Sequence, residues 1–147
     1  MKNLRLATFL PYQLSVTTNK ISDLIGRAYV DILSLSRAQW RVLAVLGEEA
    51  GLTSSQVAAK TAQDKVTVTR AVKGLIADGH VRRQASQSDG RVAHLNLTAK
   101  GRRAYDQVAP AALQYEKALL SALTQSERKQ LTQILSKLDT AVAHMSS

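Results

Sequence analysis

The sequence predicts a mainly α-helical chain that carries one small β-hairpin. Three observations lead there. Apolar residues recur at helical spacing near both ends, three Ser/Thr-x-x-Gln/Glu boxes mark helix starts, and one Asp-Gly pair separates two short strand-like runs. With 147 residues and 45% hydrophobic composition, the chain is long enough for one domain with a real core. No repeat, low-complexity tract or Pro/Gly/Ser linker divides it.

The first helix is read from Leu14, Ile21, Ile25, Ala28 and Ile32, spaced seven, four, three and four residues apart, with Leu24 and Leu33 widening the stripe. Ser36-Arg37-Ala38-Gln39 opens a second helix whose face carries Trp40, Leu43 and Leu46, and residues 47–51 should end it. Thr53-Ser54-Ser55-Gln56 opens a short third helix with Val57 and Ala58 inward. After a break at Ala62-Gln63, Asp64 is a good N-cap for a helix that runs to Asp78, with Gly79 as its stop. Val68, Val72, Leu75 and Ile76 form the inner face of that helix. Residues 81–85 and 91–97, the latter alternating through Ala93, Leu95 and Leu97, then read as strands on either side of Ser86-Gln87-Ser88-Asp89-Gly90, whose Asp-Gly pair is a hairpin signal. Thr98 caps a helix that passes Tyr105, and Pro110 should bend or interrupt it. Thr124-Gln125-Ser126-Glu127 starts the last helix, with Leu131, Leu135, Leu138 and Val142 on one side.

Charge and composition narrow the function. The net charge is +9, and residues 60–103 hold ten basic against three acidic residues, while the remainder holds ten against eight. Clustered positive charge of this kind suits a polyanion. The absence of cysteine removes disulfides, thiolate metal sites and thiol redox sensing, and fits a reducing cytoplasm. No apolar run approaches a membrane span, and residues 1–10 are too short of apolar character for a signal peptide. His80, His94 and His144 lack metal-ligand spacing, Glu48-Glu49 are adjacent and diverge, and no phosphate loop or nucleophile elbow occurs. No metal, no cofactor and no enzymatic activity are expected.

Two helices joined by a short turn and followed by a hairpin make a winged helix-turn-helix. A helix fits the major groove of B-DNA, and the helix before it braces the contact against the backbone. The outer face of the helix after Asp64 holds Val66, Thr67, Arg70, Lys73 and Ala77. Arg70 can donate twice to a guanine edge, Thr67 can bond a base or phosphate, and the Val66 methyls can meet a thymine methyl, while Lys73 suits phosphate. Lys65 and Thr69 join them as candidate DNA-binding residues. Ser54 and Ser55 are placed to bond phosphate, although capping explains Ser54 equally well. A solvated basic helix face is the plain alternative, and the hairpin directly after it argues against that. An RNA-binding winged helix and a dimerisation module without DNA binding are the competing functions; aromatic content of 4% offers few stacking platforms for RNA.

Val68-Thr69-Arg70, Leu75, Gly79-His80-Val81-Arg82-Arg83, Asp89-Gly90-Arg91 and Leu97-Thr98-Ala99-Lys100-Gly101 together resemble the multiple-antibiotic-resistance regulator (MarR) family. The resemblance is strongest over residues 36–101, which form the head, and it implies that residues 12–35 and 102–145 form dimerisation helices of a single domain. It implies a repressor that acts as a homodimer on double-stranded operator DNA, with Arg91 of each wing in the minor groove and Asp89 organising the wing loop. The residue between them is often basic in this family; here it is Gly90, which removes a wing charge. A two-fold dimer calls for an inverted-repeat operator with half-sites about one helical turn apart. The resemblance also implies a small-molecule inducer, an aromatic acid or its coenzyme A thioester. Arg27, Arg37 and Arg41 are candidates for its anionic group, and Tyr29 and Trp40 for an apolar slot, against the alternative that Trp40 is core and the arginines surface.

Overall fold

The computed structural model describes residues 3–147. After a short 3-10 turn at Leu6–Thr8, six helices and one hairpin follow in the order α1 (Leu10–Leu33), α2 (Arg37–Glu48), α3 (Ser54–Thr61), α4 (Lys65–Ala77), β1 (Val81–Ala85), β2 (Ala93–Leu97), α5 (Ala99–Leu120) and α6 (Gln125–Met145). The chain forms two compact units, the first ending at Ala112 and the second comprising Leu113–Ser147.

Helix starts in the first unit are set by local hydrogen bonds. Ser36 and Thr53 each accept from the amide three residues on, while Gln39 and Gln56 reach back to the cap amides. Each box satisfies two amides that a helix start leaves unpaired, an effect on the order of 1 kcal/mol per cap. Asp64 caps α4 through the Thr67 amide at 2.8 Å. At the other end Gly79 adopts φ +79°, a left-handed conformation that lets the chain turn out of α4 and enter β1.

The core of this unit is a continuous set of aliphatic side chains: Val42, Leu43 and Leu46 of α2, Val57 of α3, Val68, Val72 and Leu75 of α4, Val81 and Leu95 of the hairpin, and Val108 of α5. All are at most 2% exposed, so truncating Leu43 or Leu75 to alanine falls in the range of about 2–5 kcal/mol. Ala71 completes the inner face of α4, and Ile76 is only half-buried. The antiparallel strands pair Val81 with Leu97, Arg83 with Leu95 and Ala85 with Ala93. Leu52 adds a single bridge to Leu95, which ties the start of α3 to the sheet. Gly101 allows α5 to begin directly against the end of α4, since a Cβ there would collide with the His80 carbonyl.

Two expectations need correction. The hairpin forms, but β2 begins at Ala93 and not at Arg91, so the loop spans residues 86–92 and is closed by a bond from the Ser86 amide to the Val92 carbonyl at 2.8 Å. Gly90 has no positive φ, so the turn that Asn/Asp-Gly hairpins require is not formed. Pro110 does not interrupt α5, which runs unbroken through it. Pro110 and Asp106, whose carbonyl loses its amide partner, both lie on the exposed side, where water can replace the bond. Along the apolar stripe of α1, Gly26, Ala28 and Tyr29 are covered, whereas Leu14 is 39% and Ile32 41% exposed.

In the second unit, α6 starts from a third capping box, Thr124 with Glu127. The Thr124 amide and hydroxyl groups around the Glu127 carboxyl hold its pKa below the usual carboxylate range. The Arg128 guanidinium donates to the Leu120 carbonyl at 2.9 Å, closing the turn between α5 and α6. Leu131, Ile134, Leu135 and Val142 of α6 are all exposed.

Candidate nucleic-acid interface

α3 and α4 are joined by a tight turn in which Ala62 takes φ +52° and the Gln63 amide donates back to the Ala58 carbonyl. The left-handed residue ends α3 and redirects the chain into Asp64. With Val68, Ala71, Val72 and Leu75 buried, α4 presents Lys65, Val66, Thr69, Arg70 and Lys73 on its exposed side. Val66 is 62% exposed, an apolar side chain set among basic ones on that surface. Arg70 and Lys73 make no ion pair among the described residues, so their charge is free for a partner.

Two threonines on this helix are already engaged. The Thr67 hydroxyl donates to Asp64 Oδ2 at 2.8 Å, and the Thr69 hydroxyl to the Lys65 carbonyl at 2.7 Å. Both then offer a partner only their acceptor lone pairs. Donation by the Thr67 amide, and then by its hydroxyl, holds the Asp64 carboxyl below its ordinary range. Capping does not account for Ser54: the cap is Thr53, and Ser54 and Ser55 are the first two helical residues, with hydroxyls free of hydrogen bonds among the described residues.

The wing loop is ordered by Asp89, whose Oδ1 accepts from the Arg91 amide at 3.0 Å while its carbonyl accepts from the Val92 amide at 3.1 Å. This is an Asx-turn, and it fixes the backbone that carries Arg91. Gly90 has open space around it. Ser54, Ser55 and Arg91 line one recess of about 370 Å³, together with Arg83 of β1. Arg83 was not among the sequence candidates. The alternation of β1 marks it, because residue 83 shares the face of Val81 and an apolar residue is expected there.

The five ligand candidates also come together. Tyr29, Arg37, Trp40 and Arg41 line a slot of about 150 Å³ with Ile21 and Ile25, and Arg27, Tyr29 and Arg37 line an adjoining groove of about 320 Å³. Trp40 is half-buried. It stacks between Tyr29 at 5.8 Å and Tyr105 at 6.2 Å, joining α1, α2 and α5. Arg37 is tied to Asp23 at 2.6 Å, whereas Arg27 and Arg41 have no acidic partner among the described residues.

Groups of His, Cys, Asp and Glu able to hold a metal are absent among the described residues, and no helix there is long and apolar enough to cross a membrane.

Comparison with known proteins agrees with this geometry. Residues 33–92 match the family model described as MarR family. The chain is 32% identical over 101 residues to the HTH-type transcriptional regulator BilQ of Clostridium symbiosum, covering 68% of this chain and 70% of that one. A MarR/EmrR family regulator from Acinetobacter superposes with a TM-score of 0.88 at 25% identity, covering 96% of this chain and 99% of that one. BpsR of Bordetella bronchiseptica, whose DNA binding is regulated by 6-hydroxynicotinic acid, shares the fold with a TM-score of 0.83 at 22% identity, covering 94% of this chain and 98% of that one. The helix-turn-helix, the hairpin after it and these matches converge: the chain belongs to the MarR family of winged-helix, DNA-binding transcriptional regulators.

Proposed function

We propose that the chain is a homodimeric repressor that sits on an inverted-repeat operator and is released by a small aromatic acid or its thioester. The carrying observation is the one-sided exposure of α4, whose apolar face is buried while Lys65, Val66, Arg70 and Lys73 face outward. On this reading Arg70 reads a guanine edge, Val66 meets a thymine methyl, and Lys65 and Lys73 take phosphates, with Thr67 and Thr69 accepting at the margin. Ser54 and Ser55 bond the backbone, and Arg91 enters a minor groove that A·T-rich sequence narrows. Asp89 and Gly90 form the turn that presents it.

The ligand reading is supported by the slot beside Trp40, where apolar walls and Arg41, without an acidic partner among the described residues, suit an aromatic carboxylate. The regulation of BpsR by an aromatic acid fits the same chemistry. An inducer works only through unequal affinity for the DNA-competent and incompetent arrangements, so DNA must weaken ligand binding by the same factor.

The test starts from an operator selected out of random duplexes. Arg70→Ala should lose roughly 1–3 kcal/mol per half-site and relax base preference, whereas Lys73→Ala should weaken binding to every duplex and flatten the salt slope. Calorimetric titration with hydroxybenzoates should give an affinity that survives Arg70→Ala and falls in the operator complex. Unchanged affinity and preference in Arg70→Ala would remove α4 from its role; loss of ligand binding in that variant would put the ligand on the DNA surface.

A further inference from the structure

Arg83 stands on the wrong face of the hairpin for a residue with no partner. The register pairs it with Leu95, so its side chain shares the side on which Val81 and Leu95 are 2% and 0% exposed. Residues 81, 83 and 85 alternate onto that face, and an apolar residue at 83 would extend the core. Arg83 is instead exposed, and it opens into the recess lined by Ser54, Ser55 and Arg91.

No acidic side chain lines that recess. Among the described residues, neither Arg83 nor Arg91 makes an ion pair or a side-chain hydrogen bond. The two guanidinium groups, one from β1 and one from the wing loop, repel each other unless an anion lies between or beside them. The Ser54 and Ser55 hydroxyls, without partners among the described residues, add two further O–H donors to the lining. A guanidinium fork matches the tetrahedral oxygens of a phosphodiester, which supplies the negative charge this lining lacks and acceptors for its donors.

We propose that Arg83, with Ser54 and Ser55, grips a phosphate of the strand bordering the groove that Arg91 enters, and so fixes the wing relative to α3 and α4. The contact is independent of base sequence. It sets the register of the wing instead of reading bases, and Arg83 is a positioning residue. This rests on the DNA-binding reading above.

Arg82 provides a matched control. It is the neighbouring residue, carries the same charge and is also exposed, but alternation puts it on the opposite face, paired with Asn96. Binding to a random-sequence duplex is measured at several salt concentrations for the wild type, Arg83→Gln, Arg83→Lys and Arg82→Gln, with melting temperatures in parallel. Arg83→Gln should weaken binding about tenfold at ~0.1 M salt and lower the slope of log affinity against log salt by about 0.9 for each copy of the site engaged. Arg83→Lys should recover the salt slope but only part of the affinity, since an ammonium cannot form the fork. Arg82→Gln should change affinity less than twofold, and all variants should melt with the wild type. Equal losses in Arg82→Gln and Arg83→Gln would reduce the effect to overall charge and overturn the clamp while leaving the DNA-binding reading intact. A markedly lower melting temperature for Arg83→Gln would make the residue part of the fold and overturn it as well. A wild-type chain that ignores duplex DNA would refute the DNA-binding reading, and the clamp with it.

Discussion

His80 shows how one side chain links the head to solution conditions. It is 7% exposed, and its Nδ1 is buried without a hydrogen-bond partner among the described residues. Its amide donates to the Leu75 carbonyl at 2.8 Å and its carbonyl accepts from the Thr98 amide at 3.0 Å, so it joins the end of α4 to the start of α5. Burial, then the charge of Lys100, lowers the imidazole pKa, with Asp78 opposing weakly. The folded state therefore prefers the neutral ring. As pH falls below the ordinary histidine value of about 6.5, the unfolded chain takes up a proton that the folded chain resists, so stability declines until the folded pKa is passed. Wild-type protein should lose more melting temperature between pH 7.5 and 5 than His80→Leu, in which this proton uptake is gone. Parallel losses in the two proteins would assign the acid sensitivity to other groups.

At the scale of elements, the turn between α3 and α4 decides how α4 is held. Ala62 occupies the left-handed region at φ +52°, ψ +34°, a conformation that disfavours a side chain by roughly 1–2 kcal/mol. Glycine removes this strain but adds freedom to the unfolded chain, which offsets about 0.4–1 kcal/mol. Ala62→Gly should therefore stabilise the protein by about 0.5 kcal/mol, or ~1–2 °C in melting temperature, and leave DNA affinity unchanged. A destabilised variant would mean that the surrounding turn already accommodates alanine without strain. The wing is the converse case, because Gly90 has neither a positive φ nor a close neighbour and its backbone is ordered by Asp89 instead.

For the whole molecule, the exposed apolar residues set the expected assembly. Leu6, Phe9, Leu10 and Leu14 in the first unit, and Leu131, Ile134, Leu135 and Val142 in the second, are each at least 39% exposed. Large apolar side chains exposed in such numbers on each unit point to an interface, and a homodimer would bury them. Replacing Leu131 and Leu135 together by Glu should convert a dimer to monomer in sedimentation and sharply weaken operator binding, since each half-site would be held alone. A variant that stays dimeric would place the interface elsewhere; a wild-type chain that sediments as a monomer at tens of micromolar would refute the homodimer.

What the sequence by itself determined lies within a few residues along the chain. The boxes at Ser36, Thr53 and Thr124, the Asp64 cap and the stop at Gly79 are bonds between neighbours, so residue type and spacing suffice to read them. The inner face of α4 follows from a 3.6-residue period, and the motif across residues 36–101 pointed to the family. Only the tertiary structure decided which polar groups remain free. Asp23 meets Arg37 across 14 positions, and Tyr29, Trp40 and Tyr105 stack although α1, α2 and α5 are far apart in sequence. Ser54 and Arg83 line one recess for the same reason, because Leu52 bridges to Leu95 and draws α3 against the hairpin. Local hydrogen bonds are set by spacing, whereas the company a side chain keeps depends on how distant segments bury their apolar faces together.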